Sequence, residues 1–267
     1  MIVTISRQPG CRGEEIAEKL ARKMGYMYLD SIILKEKLLE HQITELLFEQ
    51  YDEKKPGYWS HFSKKTEQYL NKLKMVILEF ASQGDCVLLG RGTQILFSDR
   101  PGVARVRIIA PKSVCIRQVA KEQGCSEKEA EKIVNHINNE RNGFCQTFFN
   151  TNLESPELYD LIINNHYLAV DKVVDVISSL IEVKKDLDCS IDDLLMKQEI
   201  IENILYIQKI PIYDLNVEVI NGAVILSGSV LVKENIDLCR TAVMDIPGTT
   251  SVNTEKIIPP HVNTYGK

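Results

Sequence analysis

The chain has 267 residues, 44% of them apolar, which is enough for two domains with a core each. A net charge of -5 and a pI near 5.7 argue against a protein that coats nucleic acid or an anionic membrane by charge alone, so no nucleic-acid partner is expected. Seven scattered cysteines without a Cys-x-x-Cys pair read as reduced thiols, and five histidines without ligand spacing predict no metal site. The sequence does not open on a basic segment followed by an apolar core, and no apolar run reaches about 18 residues. The expected compartment is the cytoplasm, with no transmembrane segment.

Residues 2–5 (IVTI) read as a buried strand, followed by a loop holding Gly10 and Gly13 and a helix to about Lys23. After GYMYLD the pattern is helical and charged over 31–55, breaks at Pro56 and Gly57, and resumes in a long helix over about 62–83. CVLLG at 86–90 and VARVRIIAP at 103–111 read as the second and third strands, and SVCIRQVAKEQG is a helix stopped by Gly124. Ser126 with Glu129 forms a capping box for the next helix, which reaches about Arg141. LYDLIINN at 158–165 is a fourth strand and 171–185 an amphipathic helix. Apolar runs separated by helices predict an α/β unit with a mainly parallel sheet covered on both faces.

After about residue 186 the pattern changes. Ser190 and Asp193 suggest a helix start, with the helix running to about Gln208, and the strands of LNVEVINGAVILSGSV alternate around the hairpin signal Asn221-Gly222. A helix over 233–244 and a last strand after Pro247-Gly248 complete a small α+β domain. Gly222 serves the turn, and Gly228 marks a bulge or a close approach.

The loop SRQPGCRGEE, between a buried strand and a helix, presents backbone N–H groups and a positive helix end, which favour anions. It lacks the Lys and the hydroxyl of a complete Walker A sequence. Its cations are Arg7 and Arg12, and Glu14, Glu15 and Glu18 make the first helical turns acidic. The glycine pair alone equally describes a tight turn.

Together with LLGRGTQILF, VRIIAPKSVCIRQVAKEQGCSEKEAEKIV, NNERNGFCQTFF and YDLIINN, this segment resembles the cytidylate kinase-like family of P-loop nucleoside monophosphate kinases over about residues 1–180. Ser6, Arg7, Gly10, Gly13, Glu15, Ile16 and Ala17 match the family's first motif, while Cys11, Arg12 and Glu14 depart from it. The resemblance implies a P-loop NTPase-like domain over 1–185, with ATP, and Mg²⁺ if catalytic, as cofactors. Arg7, Gly10, Cys11, Arg12, Gly13 and Glu14 would hold the nucleotide, with Arg12 a candidate for the missing cation. Arg91, in a GRG segment similar to the family's G-R-D, would contact the acceptor. Arg141 would face the transferred phosphate, so Arg12, Arg91 and Arg141 are the candidate catalytic residues. Arg117 is a further lid-type arginine, and Asp160 reads as structural.

Residues 192–260 resemble the BON domain, which gives a second, BON-like domain over 190–262 and a protein or lipid partner as its implied ligand. Three functions compete: ATP-dependent transfer to a nucleoside monophosphate or similar small acceptor, nucleotide sensing without catalysis, and a scaffold acting through the C-terminal domain.

Overall fold

A computed structural model describes residues 1–55 and 64–259; the Pro56-Gly57 break lies outside them. The chain divides into two compact units, 1–189 and 190–267.

The first unit is built on five parallel strands: β1 (Ile2–Arg7), β2 (Met27–Leu29), β3 (Cys86–Leu89), β4 (Ala104–Ile109) and β5 (Leu161–Asn164). Their order is β2-β3-β1-β4-β5, so β1 lies at the centre and the chain crosses over it between β3 and β4. Every residue of β1 and β3 is buried, which explains why both read as continuous apolar runs. Helices α1 (Gly13–Met24) and α8 (Val170–Lys184) bury Ile16, Leu20, Val173 and Ile177 against Val3, Ile5 and Val87. Each fully buried aliphatic side chain contributes roughly 1.5–3 kcal/mol. On the β2–β3 side, α2 (Ser31–Glu40) contacts α3 (Glu45–Tyr51) and α4 (Lys64–Ser82), with Leu34, Leu38, Tyr69 and Leu73 buried.

Three features differ from the sequence reading. The helical stretch over 31–55 is two helices, because Gln42 adopts a positive φ of 66° and Thr44 caps a new start by accepting from the Leu47 N–H. Strand β2 is a fifth strand, and its three residues, Met27, Tyr28 and Leu29, are too short a run to show a strand period. The helix after the capping box, α7 (Glu127–Phe149), runs past Asn142-Gly143. Gly143 persists inside it because a Cβ there would strike the Lys55 side chain. The box itself is formed as expected, with Ser126 and Glu129 bonding each other's backbone N–H.

The second unit packs α9 (Asp192–Glu202), with a π turn at Asn203–Ile207, and α10 (Glu234–Met244) with a three-stranded sheet. Strand β6 (Tyr213–Ile220) pairs antiparallel with β7 (Ala223–Ser229), which pairs parallel with β8 (Ser251–Ile258). Asp193 accepts from the Asn221 and Gly222 N–H groups and so ties α9 to the hairpin turn. The register shift between β6 and β7 falls at Tyr213/Asn216, where a Cβ on Gly228 would press on the Tyr213 carbonyl.

Candidate functional site

The carboxyl ends of the parallel strands carry a dense cluster of paired charges. Arg7 is the last residue of β1, and Gly90, Arg91 and Gly92 follow β3 with φ values of 77°, 55° and 71°. Three successive left-handed residues turn the chain sharply into the short helix α5 (Thr93–Leu96). Arg91 is costly in that conformation, by about 1–3 kcal/mol, and its side chain is fixed in return. Its Nε and Nη2 donate to Asp52 Oδ1 and Oδ2 at 2.9 and 2.8 Å. Gly90 is required by packing as well, since a Cβ would collide with Glu53 Oε1 and Arg7 Nη1.

Glu53, two residues past α3, sits among three guanidinium groups. Arg7 Nη1 donates to both its oxygens at 2.7 and 3.0 Å, and Arg141 Nε donates to Oε2 at 2.9 Å. The Arg91 backbone N–H donates to Oε1 at 3.0 Å, and Arg91 Nη1 lies 3.9 Å from it. Arg7 Nε also donates to Glu14 Oε1 at 2.9 Å, and Arg141 Nη1 donates to the Arg7 carbonyl at 3.1 Å. Side-chain exposure is 6% for Arg7, 4% for Arg91 and 13% for Arg141 and Glu53. Such charges stay buried only when paired.

Their protonation follows from this packing. Burial opposes the charge of Glu53, yet Arg7, Arg141 and Arg91 hold its carboxyl well below the ordinary range. Burial likewise opposes Arg7, and Glu53 and Glu14 more than compensate, so its pKa is raised. For Arg141 burial and the neighbouring Arg7 charge prevail and the pKa is lowered. Asp52 is raised, because burial and the Glu53 charge outweigh Arg91.

The candidate loop residues divide. Glu14 joins the cluster as a half-exposed carboxylate, its pKa lowered because Arg7 and Arg141 outweigh burial. Arg12 stands outside it: the residue caps α1 at a φ of 63° and its exposed side chain bonds Glu15 at 2.9 and 3.1 Å. Gly10, also at positive φ, packs against the Cys115 backbone, and Gly13 against the Arg7 side chain. Cys11 is buried, donates to the Ile108 carbonyl and is pushed up to about 12, so it is a neutral thiol. The loop is anchored from both neighbours, with Ala110 N–H donating to Gln8 Oε1 and Asn165 Nδ2 to the Cys11 carbonyl. Arg117 is exposed on α6 (Lys112–Gln123). Asp160 pairs with Arg105 and Lys184 at the opposite, amino-terminal edge of the sheet.

A narrow cleft borders the cluster, lined among others by Ser6, Arg91, Gln94, Arg141 and Phe144. Ser6 in turn accepts from Arg107, a buried arginine on β4 that also donates to Tyr159 Oη and the Leu153 carbonyl. Asp52, Glu53, Gln94 and Arg107 are absent from the sequence-based site. Asp52 and Glu53 sit in a charged stretch that reads as a solvated helix, and Gln94 is a single amide in a segment read for its arginine. Only Arg107 carried a signal, as a cation inside a buried strand.

Residues 2–167, well over half of the chain, match the cytidylate kinase-like family. The chain belongs to that family. Among solved structures it is similar to an uncharacterized protein from Eubacterium ventriosum, with 21% identity over 68% of this chain and 98% of that one and a TM-score of 0.55. It is also similar to a shikimate kinase from Bacteroides thetaiotaomicron (13% identity, 68% and 98% covered, TM-score 0.44) and a gluconokinase from Sinorhizobium meliloti (13%, 69% and 93%, 0.41). No curated protein matches in sequence. The family and the parallel sheet establish a kinase-like P-loop fold. No helix among the described residues is long and apolar enough to cross a membrane.

Proposed function

We propose that this cytidylate kinase-like chain is a cytoplasmic phosphotransferase that moves a phosphoryl group from ATP to a nucleoside monophosphate or similar small anionic acceptor. The supporting observation is the convergence of Arg7 and Arg91, both buried, and the largely covered Arg141 at the carboxyl edge of the sheet. Phosphoryl transfer needs fixed positive charge around the moving group more than a covalent partner. Arginines held by Glu53 and Asp52 are already oriented, so little reorganisation accompanies the reaction.

The residues present fit an anionic nucleotide. The backbone of Gly10 to Gly13, at the start of α1, and Arg7 would hold phosphates of ATP, which when bound supplies the group transferred. Arg91 and Arg141 would hold the acceptor's charge, and Phe144 beside them would exclude water. The fit does not extend to protein ligands for Mg²⁺: Glu14, Asp52 and Glu53 are engaged by arginines, and no three metal-binding side chains gather among the described residues. An assay of acceptor-dependent ADP formation across nucleoside monophosphates tests the reading. Turnover above background with one acceptor supports it, and background rates with all of them on folded protein would refute it.

One observation favours nucleotide binding without transfer: three carboxylates already neutralise the three arginines, and Glu14 rather than a lysine follows Gly13. Calorimetric binding of ATP or GTP without ADP formation is the outcome this second reading predicts. Residues 190–262 act, in this proposal, as a BON-like module for a protein or lipid partner. The order helix, hairpin, helix, strand supports it, and cosedimentation of the full chain with anionic vesicles tests the lipid branch.

A further inference from the structure

Glu53 fills the point where the three arginines converge. Its two carboxylate oxygens accept four hydrogen bonds, two from Arg7 Nη1 at 2.7 and 3.0 Å, one from Arg141 Nε at 2.9 Å and one from the Arg91 backbone N–H at 3.0 Å. Convergent donors on guanidinium groups are what an anionic ligand group needs, and here a side chain of the same chain has taken them. The free space left in the cleft that Glu53 lines is about 10 Å³, room for one water at most. An anionic group as large as a phosphate therefore reaches these donors only in place of the carboxylate. The backbone beneath the carboxylate is strained as well: Glu53 holds a φ of 49°, in the left-handed region that a non-glycine residue enters at a cost. Asp52 differs from its neighbour, because it bonds Nε and Nη2 of Arg91 and can hold that side chain in place with Glu53 gone.

We propose that Glu53 is an autoinhibitory plug, an intramolecular anion that shuts the arginine site until a more highly charged group displaces it. In the ligand-free state the carboxylate gathers Arg7, Arg91 and Arg141 and satisfies the donors that a ligand would use. On binding, the guanidinium groups stay where they have been gathered and only the carboxylate withdraws, relieving the left-handed backbone at Glu53. A dianion such as phosphate compensates three guanidinium charges better than a single carboxylate does, which drives the exchange. Apparent affinity is lowered by the fraction of molecules in which the site is closed. The proposal rests on the arginine cluster being the anion site of the phosphotransferase reading, and it adds how that site is kept shut.

Calorimetric titration of inorganic phosphate into the full chain, at constant ionic strength, tests it. Glu53→Gln, which removes the charge and keeps the size, should bind phosphate about tenfold or more tighter than wild type. Glu122→Gln, the same charge change at an exposed residue of α6, should stay within about twofold of wild type. Glu53→Asp keeps the charge and draws it back by one methylene; it should tighten binding about threefold, and it carries the test if the glutamine variant does not fold. If Glu53 only positions the arginines, its loss disorders the site and phosphate binds more weakly. Unchanged or weaker binding in the Glu53 variants, or an equal gain in Glu122→Gln, would overturn the proposal. Because the readout is binding, tightening in a chain that transfers no phosphate contradicts the kinase reading alone. Turnover in wild type with no tightening in the variants contradicts the plug alone.

Discussion

The first unit carries two arginine–carboxylate clusters, one at each edge of the same sheet. At the amino edge, Asp160 Oδ1 accepts from Arg105 Nη2 at 3.0 Å and Oδ2 lies 2.6 Å from Lys184 Nζ. At the carboxyl edge, Glu53 joins Arg7, Arg91 and Arg141. Both satisfy their charges, so pairing alone does not mark a site. The difference is in their surroundings. The amino-edge cluster ties β4, the start of β5 and the end of α8 together, as a structural clamp does. The carboxyl-edge cluster borders a cleft and follows a strained turn, at the edge where open α/β sheets bind ligands.

That contrast can be broken by substitution, most strongly at Glu53. Glu53→Ala leaves three buried guanidinium groups without their common partner and should destabilise the fold by about 3–5 kcal/mol. Denaturant unfolding of this variant beside Asp160→Ala should show the larger loss at Glu53, because Asp160 is shared by fewer cations; equal losses would mean the clusters are alike. For activity, Arg91→Lys should lower kcat/KM for the acceptor about 10²–10³-fold, since lysine cannot reproduce the bidentate hold on Asp52. Arg105→Lys should leave turnover within about twofold of wild type, and a matching loss there would dissolve the distinction.

Acidification separates the groups by sign. Glu53 and Glu14 titrate below the ordinary carboxylate value of about 4.3, so their stabilisation is complete above that pH and is lost as pH falls through their folded values. Asp52, with a raised folded value, acts in the opposite sense, and its protonation is favoured in the native state. Stability should therefore fall below about pH 4 in wild type, and Glu53→Gln should flatten that decline; an unchanged slope would remove Glu53 as its source. The smallest effect belongs to Arg12→Ala. Its pair with Glu15 is exposed on both sides, and the change in stability should stay within about 0.5 kcal/mol by chemical denaturation.

The regular parts of the fold were legible because buried parallel strands are continuous apolar runs and helices announce their caps. Strands β1, β3 and β4 and the capping box at Ser126 follow from those signals. Strand β2 was not visible because three residues carry no period. In the candidate site, Arg7, Arg91 and Arg141 were singled out from strand order and family pattern, and the fold gathers them around Glu53. Glu53 was not, since a glutamate in a polar stretch reads as solvated until the fold brings β1, β3 and α7 to it. Arg12, singled out by its place in the loop, points away because the left-handed backbone at that residue directs it to Glu15.

In the proposed function an anionic acceptor meets Arg91 and Arg141 at the carboxyl edge of the sheet. A crystal structure of the chain with a nucleoside monophosphate and a non-hydrolysable ATP analogue tests this directly. The expected result is density for the acceptor's phosphate within hydrogen-bonding distance of Arg91 and Arg141. Acceptor density elsewhere on the chain, with Glu53 still holding all three arginines, would contradict it.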